Sequence, residues 1–149
     1  MIALVQRVAG TSVSVAGNPD QTSAIGRGML VLLGVSHDDS QTDLNQIAAK
    51  LIKLRIFADE NGKMNLDISA AKGELLLISQ FTLLADTTGG NRPSFIKAAP
   101  PELASDLYQK LAEMLKADIT VKIGFFGAYM TIETILDGPV TIYLDSKKL

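Results

Sequence analysis

Three short segments hold the residues best suited to chemistry. Ser79-Gln80-Phe81-Thr82 ends an otherwise apolar run with two hydroxyls and a carboxamide. A buried polar side chain is costly unless hydrogen-bonded, so this strand end meets either a turn that satisfies the hydroxyls or a cleft that uses them. The residues alone leave both readings open. Gly124-Phe125-Phe126-Gly127-Ala128-Tyr129-Met130 sets aromatics between glycines. It is either a core plug, the more ordinary outcome, or a wall on which a flat ring stacks. Gly138-Pro139 interrupts a stretch of β-branched residues. Glycine weakens a strand and proline removes a ladder donor, so the pair marks a turn or a bulge. Arg7 is a fourth oddity, because it shares strand parity with Ala3 and Val5. Its guanidinium either leaves an apolar face, as snorkelling arginines do, or is held by carbonyls within.

Several chemistries can be set aside. The single histidine, His37, precedes Asp38-Asp39 in an expected loop, and no G-x-S-x-G elbow is available to form a triad with it. There is no cysteine, which removes disulfides, thiolate chemistry and Cys-based metal sites. The tight acidic pairs Asp38-Asp39 and Asp59-Glu60 read as solvated loop charges rather than metal ligands. "GRGMLVLLG" has glycines but lacks the Lys-Ser/Thr of a phosphate loop. No metal or cofactor is expected.

The chain has 149 residues, 47% hydrophobic and 20% charged. That composition suits one domain with a sizeable core and is far from disorder. No apolar run approaches the ~20 residues of a membrane span, and "MIALVQRV" has the wrong flanks for a signal peptide. Together with the missing cysteines this points to the cytoplasm and to no membrane partner. A formal charge of −2 argues mildly against a broad nucleic-acid surface. Small basic clusters nonetheless occur at Lys50, Lys53 and Arg55 and at Arg92 and Lys97.

The elements that must position these segments can be sketched from periodicity. Residues 2–9 and 11–16 are predicted as two strands joined at Gly10, and 29–35 as a buried central strand. Ser40 and Asp43 have the spacing of a helix N-terminal box. Leu44, Ile47, Ala48, Leu51 and Ile52 then follow one helical face. Residues 61–65 form a turn, 73–84 a second buried strand, and 85–95 a loop. Pro100-Pro101 opens a second helix running to about Lys116. Strands follow at 119–123 and on both sides of Gly138-Pro139. Two helices cannot cross over between so many strands, so alternating βαβ units are not expected. The predicted class is α+β: one compact domain, residues 1–149, with a largely antiparallel, barrel-like sheet layer covered by two main helices.

Taken together, the segments resemble the D-aminoacyl-tRNA deacylase family across almost the whole chain. The likeness runs through "VQRV" at 5–8, "LRIF" at 54–57, "GKMN" at 62–65 and "SQFTLLAD" at 79–86. It continues through "RPSF" at 92–95, "AAPPELA" at 98–104, "FGA" at 126–128 and "DGPVT" at 137–141. The resemblance implies a homodimer with active sites at the subunit interface. One subunit would contribute Ser79, Gln80, Phe81 and Thr82, and the other Gly138 and Pro139 across a cis peptide bond. Carbonyls there would bind the substrate's α-ammonium and occupy the space an L side chain needs, so D-aminoacyl and glycyl groups pass. Arg7 would orient that loop, and Phe126 and Met130 would wall the pocket. The implied partner is the 3′ end of a D-aminoacyl-tRNA, whose ester is hydrolysed.

No side-chain base stands out to activate Thr82 as a nucleophile. A positioned water, helped by strand-end amides near Phe81 and Thr82, is the preferred chemistry. A non-catalytic module binding RNA ends or D-amino acids, and an esterase independent of tRNA, are the alternative readings. Two departures from the family pattern stand out. Leu136 replaces the asparagine common before the Asp-Gly-Pro step, and "TTGGN" at 87–91 carries fewer basic residues than usual.

Overall fold

Two long strands form where the sequence pointed to pairs of short ones. β1 (Ile2–Val15) is continuous through Gly10, and the last long strand, Met130–Asp145, is continuous through Gly138-Pro139. These two pair antiparallel along nearly their full lengths. Glycine and proline lead to a bulge in both places rather than a turn, because the partner strand continues alongside and holds the backbone extended.

The computed structural model describes residues 1–149, apart from the side chain of Pro19. β2 (Asn18–Ile25) follows β1 as a hairpin partner. β3 (Gly28–Gly34) and α1 (Gln41–Lys53) come next, then the short hairpin of β4 (Phe57–Ala58) and β5 (Met64–Leu66) around the turn at 61–63. β6 (Glu74–Ser79) leads through a 3-10 turn, Phe81–Leu84, and a loop to α2 (Pro101–Lys116). β7 (Thr120–Ile123) and β8 (Met130–Asp145) complete the order. β2 was not legible in the sequence. Apart from Ile25 and the part-buried Ser23 its described side chains are exposed, so it needs no apolar alternation.

The main sheet runs β2-β1-β3-β6-β7, with β8 on the other edge of β1. Pairs involving β1 are antiparallel, as expected. β3–β6 and β6–β7 are parallel, so α1 and α2 each serve as a crossover after all. The two crossovers follow one another, β3-α1-β6-α2-β7, and leave the other strands as antiparallel flanks. Contacts of β2 with β6 and β7 curl the layer into a nearly closed barrel.

Both faces of β3 and β6 are covered, which explains their unbroken apolar runs. Met29, Val31, Leu33, Leu75 and Leu77 face the helices and pack with Leu44, Ile47, Leu51, Leu107, Leu111 and Leu115. Leu30, Leu76 and Ile78 face a smaller cluster inside the barrel with Val8, Val13 and Ile25. Helix α1 starts as its spacing predicts: Ser40 accepts from Thr42 N, and Asp43 accepts from Ser40 N at 2.9 Å.

The start of α1 also anchors the chain ends. The α-ammonium of Met1 bonds the Asp39 carboxylate and the Ser146 hydroxyl, and Ser146 donates to Asp43 at 2.7 Å. Lys147 lies 2.8 Å from Asp43. Burial pushes the Asp43 carboxyl up, but hydrogen bonds from Lys147, Ser146 and Ser40 outweigh it and hold the group well below the usual carboxylate range.

Candidate active site

The cleft lies at the carboxyl end of β6, the middle strand of the parallel unit, where α/β layers open a crevice. Its volume is about 610 Å³, within the usual span for small-molecule sites. Residues 78–81 form one side, residues 126–130 with Ile132 another, and Ala98, Ala99, Pro101 and Ala104 the third. The expected strand 73–84 stops at Ser79, and the chain tightens into the 3-10 turn. Gln80 N still donates to Leu33 O of β3, while Gln80 O accepts from Leu83 N. An apolar run does not by itself distinguish strand from helical turn, and this local bond makes the switch.

The switch decides what the Ser-Gln-Phe-Thr segment can do. Ser79, Gln80 and Phe81 line the cleft. Thr82 is exposed beside it, and its hydroxyl is bridged to the Gln80 carboxamide. The amides of Phe81 and Thr82 open the 3-10 turn, ahead of the bonds that close it. The cleft lining contains no Asp, Glu, His, Lys or Arg. His37 lies nearby through its backbone, His37 N to Lys97 O at 3.1 Å, but its side chain is exposed and outside the lining.

Phe126 and Met130 are both cleft wall and packing residues. Phe126 sits 5.8 Å from the Tyr108 ring, and Met130 packs on the inner cluster with its sulfur 3.4 Å from Phe125 N. The core plug and the wall are therefore one structure. Tyr108 is itself fixed by donating to Leu77 O at 2.8 Å, and burial pushes its phenol well above the usual range.

Gly138-Pro139 stands apart from this cleft. On β1, Gln6 pairs with Thr141 and Val8 with Leu136, so four residues, 137 to 140, oppose Arg7 alone. The surplus pushes the exposed Gly138 and Pro139 out as a bulge, and the peptide bond between them is cis. Gly138 has φ +132°, and a Cβ there would come 2.8 Å from both Val140 N and Val140 Cγ2. Only glycine adopts this conformation readily. Arg7 is not a snorkelling side chain. It is 12% exposed, with Nε donating to Asp137 O at 3.1 Å and lying 3.0 Å from the Asp137 carboxylate. Its Nη1 donates to Ile56 O, which ties the bulge to the segment after α1.

Gly138-Pro139 and the cleft lie far apart along the chain. Met130, at the cleft, and Gly138 are eight residues apart on one strand, roughly 25 Å at ~3.3 Å per residue. Among the further lining residues, Ala98, Ala99 and Ala104 were not singled out as site residues by sequence reasoning, whereas Tyr129 lies in the 124–130 segment but was given no role. Alanines carry no chemical signal. The run of small residues before a helix-opening Pro-Pro was the one clue that a surface would approach closely there.

Comparison with known proteins identifies the family. The family model described as D-Tyr-tRNA(Tyr) deacylase matches residues 4–145. A D-aminoacyl-tRNA deacylase of Cytophaga hutchinsonii is 50% identical, over 99% of this chain and 98% of its own. One from Anaeromyxobacter dehalogenans is 51% identical, over 100% and 99%. A solved structure titled "c-Myc DNA Unwinding Element Binding Protein" superposes with TM-score 0.90 at 43% identity, covering 97% of this chain and 98% of its own. A second, "Structural Analysis of a probable eukaryotic D-amino acid tRNA deacylase", shares the fold with TM-score 0.79 at 18% identity, over 96% and 97%. With family model and full-length relatives in agreement, the chain belongs to the D-Tyr-tRNA(Tyr) deacylase family and is an enzyme of the deacylase type.

Proposed function

We propose that the protein hydrolyses the ester joining a D-amino acid to the terminal ribose of tRNA, a proofreading step in the cytoplasm, and acts as a homodimer. The observation that carries this reading is the bulge at 137–140, held by Arg7 with Gly138 and Pro139 exposed and outside the lining of the cleft. In the dimer, each subunit's Gly138-Pro139 covers the other's cleft. The surface of β8 supports such an assembly. Its outer edge has no paired strand among the described residues, and Ile135, Leu136 and Tyr143 are exposed along it. A long unpaired edge strand that also exposes apolar side chains is a liability unless another chain covers it.

Backbone carbonyls of the bulge accept hydrogen bonds from the substrate's α-ammonium and fill the space an L side chain would need. A D side chain points elsewhere, and glycine has none, so glycyl-tRNA is a second substrate. Selection by fixed backbone works through rejection. The ester carbonyl lies against the amides of Phe81 and Thr82, which stabilise the developing oxyanion. Water attacks with help from the ribose 2′-hydroxyl. The aminoacyl ester is already activated, so orientation and oxyanion stabilisation suffice. The absence of any acidic or basic side chain from the cleft lining favours this route over a Thr82 acyl-enzyme. Thr82, held by Gln80, serves as a hydrogen-bonding wall.

The test is multiple turnover of D-tyrosyl-tRNA in large excess over enzyme, run beside D-tyrosine methyl ester. Catalytic cleavage of the tRNA ester with little of the methyl ester is the expected result. Binding without turnover would instead make the protein a binding module, and equal cleavage of both would make it a general esterase.

A further inference from the structure

We infer that Tyr129 is the platform on which the terminal base of the tRNA substrate stacks, a specificity residue outside the hydrolytic machinery. The inference rests on the deacylase reading for its substrate, but its residue is picked out by geometry alone. Three aromatic side chains line the cleft, Phe81, Phe126 and Tyr129, and two of them are already engaged. Phe126 packs against Tyr108 at 5.8 Å, and Phe81 meets Phe95 edge-on at 5.0 Å. Tyr129 lines the cleft yet is 84% exposed, and it makes no ring contact among the described residues.

Its backbone is nevertheless fixed. Ala16 N donates to Tyr129 O at 2.8 Å, and Ala128 N donates to Phe125 O at 3.1 Å, closing a turn in which Gly127 takes φ +74°. The next residue, Met130, turns inward against the inner cluster. The turn therefore holds Tyr129 at the rim with its ring turned to solvent. An isolated exposed tyrosine would need no explanation. This one borders an apolar cleft whose wall beside it is Gly127 and Ala128, too small to block a flat ligand.

The substrate has a part that matches. With the ester at Phe81 and Thr82 and the amino acid inside the cleft, the ribose and its adenine must leave through the mouth. A solvent-facing ring at the rim offers the base a face. Aromatic stacking of this kind tolerates any base and acts on binding rather than on the reacting atoms. It gives a chain with formal charge −2 a hold on RNA that needs no basic surface.

The experiment compares native protein, Tyr129→Ala and Tyr129→Phe on D-tyrosyl-tRNA and on D-tyrosine methyl ester, with dimer content measured for each. For the tRNA ester, Tyr129→Ala is expected to raise KM about tenfold with kcat within about twofold, a loss in the range for one stacked base. Tyr129→Phe should restore native KM, and any change in the residual methyl ester rate should be much smaller than the change for the tRNA ester. An unchanged KM, an equal rise for the methyl ester, no rescue by phenylalanine, or dissociation of the alanine variant into monomers would each overturn the inference.

A second measurement does not depend on turnover. Equilibrium binding of a trinucleotide ending in CCA is expected to weaken about tenfold in Tyr129→Ala and to persist in Tyr129→Phe. Equal binding by all three would overturn the role of the ring. If the native protein cleaves neither ester while this pattern still holds, the hydrolytic reading falls and the stacking site stands.

Discussion

At the residue scale, the arrangement turns on Arg7. A guanidinium is a planar fork that can serve several oxygens in fixed directions, whereas an ammonium is a point charge on a flexible stem. Arg7 holds the carbonyl and carboxylate of Asp137 with one nitrogen and Ile56 O with another, so it fixes the bulge without touching the cleft. Under the proposed function it is a positioning residue. Arg7→Lys is expected to lower kcat/KM for D-tyrosyl-tRNA by about tenfold and to narrow the D-to-L rate ratio. The ratio is the informative readout, because a merely structural loss would slow both enantiomers alike. Gly138→Ala acts on the same backbone more directly. A φ of +132° with a Cβ 2.8 Å from Val140 N costs about 1–3 kcal/mol and should abolish most activity while the fold persists in circular dichroism.

At the element scale, close approach and end anchoring dominate. A Cβ on Gly28 would lie 1.8 Å from Glu74 O, at the start of the β3–β6 ladder. Gly28→Ala must therefore push the parallel strands apart, and it should destabilise the protein by about 3 kcal/mol or more in urea titration. Asp43 makes a separate prediction about pH. Its folded-state carboxyl lies below the unfolded value near ~3.9. The stability it contributes is therefore present above about pH 4 and disappears as pH falls through the folded value. Asp43→Asn should cost about 2 kcal/mol at pH 7, and the gap between native and variant should shrink as the pH is lowered below 4.

The same elements show what a sequence can and cannot disclose. The Ser40–Asp43 box was legible because its hydrogen bonds join residues three apart. The start of α2 was legible because Pro100-Pro101 fits a first helical turn. The continuity of β1 and β8 was not, because turn and bulge use the same residues and a partner strand more than a hundred positions away decides between them. The parallel crossovers were missed for a related reason, since strand direction follows from which neighbour accepts the ladder. At the site, Ser79, Gln80, Phe81, Phe126 and Met130 converge on one cleft. Thr82 sits just beside it, and Gly138 and Pro139 lie on a distant part of the same chain.

That separation sets the question for the whole molecule. If the bulge of one subunit completes the cleft of another, two differently damaged subunits can repair each other. Gly138→Ala damages the bulge, and Ala128→Trp fills the cleft. Each homodimer should be nearly inactive. After mixing and subunit exchange, a heterodimer carries one site built from an undamaged cleft and an undamaged bulge, so activity should return to about a quarter of the native level for a random mixture. No recovery, with heterodimers demonstrated by mass spectrometry, would place both halves of the site in one chain. Placing a charge on the outer face of β8 with Ile135→Lys should shift the protein toward monomers by sedimentation and remove activity in parallel.

The most direct measurement is the turnover of matched D- and L-tyrosyl-tRNA by the native protein and by Thr82→Ala. The expected result is that the native protein cleaves the D ester and spares the L ester, while Thr82→Ala keeps activity within about tenfold and keeps the preference. That outcome would locate selection in the backbone and attack in water. A folded, dimeric Thr82→Ala protein with no activity would contradict it and make the threonine hydroxyl a participant in the chemistry.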